Sequence, residues 1–317
     1  MIIDVHPEFG YEIACAIPYA YWLHTQNKLE KVITCKGMKP FYYFAENVEE
    51  RYTMRSVDNS TNGVQNLPNN WVHHNAKAVT GKDYSELTAE EKIQVNGVLD
   101  YSQWISPPYK ERYSGLKNDK LKSPYIVVSN KFVMDHGKEA LGYFDIQCLY
   151  DMFNYLTDKG YTVVYKRPKM TEFTIDQNEI ATLQSGQTIQ ANVEGVGRID
   201  DYQLTQYYDN VHLIDSIINE YPDSSYNEVQ LQVFAGASGF ISISGGNGIF
   251  CSAFGQPTVL YATTSGETRE GYFGPNSYYR QLANADLHAA IDNERDIINR
   301  GYRDYTEFMN MIKTTFK

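Results

Sequence analysis

The chain has 317 residues, long enough for two domains with separate hydrophobic cores and too long for a peptide or a disulfide knot. Hydrophobic residues make up 42% and charged residues 21%, a globular balance that excludes wholesale disorder. With 28 Lys+Arg against 39 Asp+Glu the formal net charge is -11, which argues against a nucleic-acid partner bound through its phosphate backbone and leaves room for a local basic pocket.

Residues 2–5 form a short apolar run, followed by the turn-like Pro7-Glu8-Phe9-Gly10 and an apolar stretch over 13–23 that predicts a helix. The pattern is strand, Gly-containing loop, helix. Residues 31–35 and 71–74 are candidate later strands, and the Asn-rich segment 58–70 reads as a surface loop. Around Ser106-Pro107-Pro108 the pattern breaks, and the Lys-rich segment 110–123 is taken as a linker. Two units are therefore expected, residues 1–118 and residues 119–317.

The second unit alternates strand and helix. Strands are predicted over 126–128, 161–166, 211–215, 239–244 and 258–262, and helices over 144–159, 227–235 and 249–254. Residues 287–316 read as helical, with Ile291, Ile298, Tyr302, Tyr305, Phe308 and Ile312 spaced to pack. Alternation of this kind implies an α/β fold, two Rossmann-like domains with parallel sheets facing a cleft.

Cys15, Cys35, Cys148 and Cys251 are scattered singly, without a Cys-x-x-Cys pair, and read as reduced core thiols. Asp4 and Glu8 stand where an export signal would need a basic start. The charge-free stretch between Glu228 and Glu267 is broken by glycines and Pro257 into pieces too short to span a membrane. A cytoplasmic location is expected, the host cytoplasm if the Asn- and Tyr-rich composition reflects a viral genome.

The sharpest motif is Ser244-Gly245-Gly246-Asn247-Gly248, directly after a predicted strand and before a predicted helix. In open parallel sheets ligands lie beyond the carboxyl ends of strands, where a helix start offers unpaired N–H groups to a phosphate. The competing reading is an ordinary tight turn. The run matches neither Gly-x-Gly-x-x-Gly nor the Gly-Lys-Ser/Thr loop of nucleoside triphosphatases. His73-His74 has no third ligand at metal spacing, and no Asp-x-Asp occurs, which counts against a metal-held diphosphate. No metal ligands and no cofactor are assigned.

The run from Gly246 to Pro257, followed by the strand 258–261, resembles the donor-binding segment of two-domain GT-B glycosyltransferases. Its spacing is similar to that of the ADP-heptose transferases of lipopolysaccharide synthesis, with Ser244 where that family carries an acidic residue. Glu12, six residues before Pro18 and close to Gly10, matches the family's N-terminal carboxylate. The resemblance implies Glu12 as the base that takes the proton of the acceptor hydroxyl, with Glu8 and His6 on the same loop as alternates. A helix-start acid favoured by the dipole is the plain alternative for Glu12. Phe9, Gly10 and Tyr11 would then border the acceptor.

In the same family a basic side chain at the first strand end of the second unit faces the donor diphosphate, and Lys131, beside Asn130, is the matching position. Lys166 and Arg167 end the next strand and form a second basic pair, although solvated charge is the common fate of such residues. Glu267 is placed against the donor's ribose or sugar hydroxyls, with Tyr261 nearby. The implied activity is an inverting, metal-independent hexosyl- or pentosyltransferase. It would move a sugar from a UDP- or GDP-linked donor to a hydroxyl of a glycan or glycoconjugate. A non-hydrolysing nucleotide-sugar epimerase, or a catalytically silent nucleotide- or glycan-binding protein on the same fold, are the alternatives.

Overall fold

The computed structural model describes residues 1–56, 67, 81–82, 86–88, 90–91, 101–121, 124–134, 139–167, 174–193, 197–263, 280 and 287–317. The expected strand at 71–74 lies outside them, as does Glu267. In the first unit β1 (Ile2–Asp4), β2 (Lys31–Cys35) and β3 (Val48–Tyr52) make a parallel sheet in that order. The predicted helix after β1 is a continuous helical run of α1 (Phe9–Tyr11), a π-helical turn (Glu12–Ala16) and α2 (Ile17–Thr25). Pro18 lacks the N–H that would reach back to the Ala14 carbonyl, and the Trp104 indole N–H donates to that carbonyl instead at 2.8 Å.

The second unit carries a six-stranded sheet that is parallel throughout. Its strands are β4 (Tyr125–Ser129), β5 (Thr162–Lys166), β8 (Val211–Leu213), β9 (Gly239–Ile243), β10 (Thr258–Ala262) and β11 (Leu287–Ile291). Between β5 and β8 the chain makes a small antiparallel hairpin, β6 (Gln190–Val193) and β7 (Gly197–Asp200). The spatial order β8-β5-β4-β9-β10-β11 is the doubly wound order 3-2-1-4-5-6, counted within this unit. Strand order therefore reverses between β4 and β9.

The helices begin where their side chains can cap them. Asp145 accepts from the Cys148 N–H at the start of α4 (Ile146–Asp158). A capping box of Asp176 and Glu179 opens α5 (Gln177–Ser185). After α6 (Asp201–Thr205) and α7 (Ile214–Ile218), Ser225 caps α8 (Tyr226–Gly236). The glycine-rich turn is itself the first turn of α9 (Gly246–Ser252), three residues earlier than predicted. The chain ends in α10 (Glu294–Arg300) and α11 (Thr306–Thr315). The expectation of unbroken helix from 287 is corrected, because residues 287–291 add a strand parallel to β10.

One face of the six-stranded sheet is sealed by α4 and α11, with Phe144, Phe153, Phe308 and Ile312 buried there. On the other face Phe234, Phe240, Phe250 and Phe254 join Phe41, Tyr42, Trp104 and Tyr109 in one hydrophobic core that runs on into the first unit. The segment expected to be a linker contributes to it. In α3 (Tyr109–Tyr113) the two tyrosines are buried, and their hydroxyls donate to the carbonyls of Phe41 at 2.9 Å and Pro40 at 2.5 Å. The four cysteines are buried and form no disulfide with one another.

Candidate active site

The reversal of strand order puts the ends of β4 and β9 side by side, with Ser129 in register with Ser242. The residues that follow these strands, Asn130-Lys131 and Ser244 to Gly248, are the ones that the sequence singled out. The φ of Gly245 is 99°, a left-handed value that favours glycine, and it turns the chain from β9 into α9 without a side-chain cap. The first amides of a helix have no partner within it. A Cβ built on Gly245 would lie 3.7 Å from Lys131 Nζ, and one built on Gly142 would lie 3.8 Å from Lys131 Cε and 3.4 Å from Thr263 Oγ1. Lys131 therefore lies over the turn, between it and the Gly142 loop, and the rim around it is half-buried.

The first unit reaches the same point. A Cβ on Gly10 would lie 2.7 Å from Gly246 Cα, and one on Gly246 would lie 2.8 Å from Gly10 Cα. The two helix starts thus touch backbone to backbone, and the expected gap between them is closed at this contact. Phe9 packs edge-on against Phe41 and Phe250, with ring centroids 5.8 and 6.1 Å apart, which fixes the loop that carries Glu8. Glu8 is half-buried at the start of α1, and its carbonyl accepts from the Glu12 N–H. Tyr11 is buried in the core.

Glu12, the expected base, is 0% exposed. The Thr34 and Tyr42 hydroxyls donate to its Oε1, and Arg55 Nη1 donates to its Oε2 at 2.7 Å. Arg55 also donates to the Pro7 carbonyl at 2.8 Å, and its own N–H reaches the Ile175 carbonyl at 3.0 Å. The carboxylate is an internal anchor, and a base must reach the hydroxyl that it deprotonates. Sealed in this way, Glu12 is not placed to reach a bound hydroxyl. His6, the other alternate, stacks on Tyr52 with centroids 4.2 Å apart, and burial lowers its pKa against the pull of Asp4 and Glu12.

Several predicted donor contacts are structural instead. Asn130 is buried, with Oδ1 accepting from the Lys131 and Phe144 N–H groups and Nδ2 donating to the Phe144 carbonyl and the Tyr165 hydroxyl. It shapes the loop under Lys131. Arg167 makes a two-pronged ion pair with the buried Asp201, 2.7 Å from Nη2 to Oδ1, and lies 4.4 Å from the Tyr202 ring centroid. Tyr261 is fully buried and donates to Asp292 Oδ2 at 2.9 Å. Lys166 is buried beneath the turn rather than exposed at a cleft edge, and its Nζ donates to Asn247 Oδ1 at 2.9 Å.

Glu179 is a residue that sequence reasoning missed. Burial, then the Asp176 charge, raise its carboxyl pKa to about 7, with the Asp176 N–H and Arg55 pulling the other way and Glu8 adding to the rise. Its only sequence signal is the Asp-x-x-Glu capping spacing. A raised carboxyl pKa favours the folded state below the unfolded value and withdraws that support as pH climbs through about 7. Replacing Glu179 with Gln, which still accepts from the Asp176 N–H, is expected to leave stability unchanged at pH 4 and to add roughly 2 kcal/mol at pH 8. Urea unfolding at the two pH values measures this.

Among the described residues no group of three or more His, Cys, Asp and Glu side chains is arranged to hold a metal ion, and no helix is long and apolar enough to cross a membrane. An open polar groove of about 560 Å³ lies apart from these residues, between 116–121 and Glu220-Tyr221, where Asn118 and Lys120 already bind Glu220.

These observations define the class: a doubly wound parallel α/β protein with a glycine turn and a lysine where its strand order reverses. No known protein family matches the sequence, and no curated protein does. Among solved structures the chain is similar to the iron-containing dodecameric glycosyltransferase TibC from enterotoxigenic E. coli, with 12% identity and a TM-score of 0.38, covering 82% of this chain and 59% of that one. It is likewise similar to the dodecameric iron-containing heptosyltransferase TibC in complex with ADP-D-beta-D-heptose, with 12% identity and a TM-score of 0.39, covering 88% of this chain and 64% of that one. The chain thus spans about three fifths of the length of the structures it matches.

Proposed function

We propose that the chain is a glycosyltransferase that uses a nucleoside-diphosphate sugar and transfers the sugar to a glycan or glycoconjugate hydroxyl with inversion. The observation that carries this reading is the placement of the Gly245–Gly248 turn and Lys131 at the reversal of strand order, with the Glu8 loop held against the turn. The first amides of α9 and the Lys131 ammonium would carry the charge of the departing diphosphate from the Gly142 and Thr263 side, without calling on a metal. Glu8 takes the role of base. It is half-buried on the loop whose Gly10 touches the turn, so a hydroxyl placed beside it would stand close to the donor.

Thermal melting against UDP, GDP, ADP and CMP, and then their sugars, identifies the donor, because a ligand at 100 times its dissociation constant adds about 2.7 kcal/mol. With that donor, Glu8→Gln is expected to lower turnover by about 100-fold or more while leaving nucleotide affinity unchanged. Unchanged turnover would remove Glu8 from the chemistry. The sealed carboxylate of Glu12 favours one second reading, a nucleotide-binding protein without turnover. It is distinguished by donor binding with neither transfer nor hydrolysis across an acceptor panel.

A further inference from the structure

Lys166 closes β5 in register with Ser129 at the end of β4, and Ser129 is in register with Ser242 on β9. Register neighbours in a parallel sheet share a face, and this one meets α8 and α9. Lys166 is 3% exposed, with its Nζ 5.9 Å from the Phe234 ring centroid. Among the described residues its one hydrogen bond goes to an amide oxygen, Asn247 Oδ1, and the Ser129 hydroxyl beside it is buried with no hydrogen-bond partner. Three donors on an ammonium and one acceptor leave capacity that the described residues do not fill. The charged and titratable groups facing it are Asp215 of α7 and the Cys251 thiol of α9, and burial outweighs both, bringing the lysine down to about 8.

A buried ammonium without a hydrogen-bonded carboxylate weakens the fold, and a methionine would fill the same space without that penalty. Such a cost is characteristic of groups kept for a ligand. We infer that Lys166 is a positioning residue for a nucleotide's diphosphate, holding Asn247 so that the first turn of α9 faces the ligand and setting a positive charge behind that turn. The inference rests on the donor site proposed above and goes beyond it, because it assigns part of the anion affinity to a lysine that the ligand does not touch.

Inorganic pyrophosphate, titrated calorimetrically with chelator present, is the probe. Lys166→Met is expected to melt no lower than the wild type and to bind pyrophosphate about tenfold more weakly at pH 7. The wild-type advantage should shrink toward unity by pH 9.5, where Lys166 is neutral, and the ratio of the two affinities cancels the titration of pyrophosphate itself. Lys166→Gln, which keeps an N–H for Asn247 but not the charge, should bind more weakly than the wild type and lose less than Lys166→Met. A folded variant that binds as the wild type at pH 7, or a ratio flat with pH, overturns the inference. Lys131→Met separates the two readings: binding that depends on Lys131 and ignores Lys166 overturns this inference alone, and no binding by the wild type overturns both.

Discussion

Replacing Arg55 with Met is expected to destabilise the protein by about 3–5 kcal/mol, measured by urea unfolding at pH 7. Arg55 is fully enclosed, and its Nη1 holds both Glu12 Oε2 at 2.7 Å and the Pro7 carbonyl at 2.8 Å. Without it Glu12 keeps the Thr34 and Tyr42 hydroxyls but loses the opposite charge, and a carboxylate at 0% exposure has no water to replace it. Arg55→Met combined with Glu12→Gln removes both charges and is expected to recover part of the loss, so the pair will be non-additive. A coupling near zero would mean that the two side chains do not depend on each other.

That pair also shows how far the sequence could be read. The spacing of Glu12, Gly10 and Pro18 marked the loop as one side of a cleft, and showed neither its contact with the turn nor the direction of the carboxylate. Its donors come from β2, from residue 42 and from residue 55, and only tertiary structure brings these together. Arg167 and Tyr261 misled for the same reason, since their partners Asp201 and Asp292 lie far along the chain. The placement of Lys131 and the Gly245–Gly248 turn at strand ends was legible, because position after a parallel strand is local information.

The fold divides along similar lines. Strands β4, β5, β9 and β10 are buried on both faces and read as continuous apolar runs, which is why the second unit was clear. At the sheet edges the signal weakens. In the first sheet β3 carries Val-Glu-Glu-Arg-Tyr, charged because its side chains are only partly covered. β11 carries Leu-His-Ala-Ala-Ile, whose alanines suit a helix and whose strand state comes from pairing with β10. The shared core was hidden as well, because Tyr109 and Tyr113 sit in a segment whose lysines suggested solvent.

Gly246→Ala is expected to lower transfer by about 100-fold and to cost roughly 1–3 kcal/mol of stability. The added methyl would stand 2.8 Å from Gly10 Cα and 2.9 Å from Gly10 N, and neither backbone atom can rotate out of the way. The helix starts must part, which carries the Glu8 loop away from the turn and the donor away from its base. Gly10→Ala meets Gly246 Cα at 2.7 Å, so the two substitutions open the same contact and should not add. Gly142→Ala is the control, since its methyl finds neighbours at 3.4–3.8 Å and should leave the melting temperature nearly unchanged. Full turnover by a folded Gly246→Ala protein would show that the chemistry does not need the two units closed on each other. An additive loss in the double variant would show that each glycine serves a separate constraint.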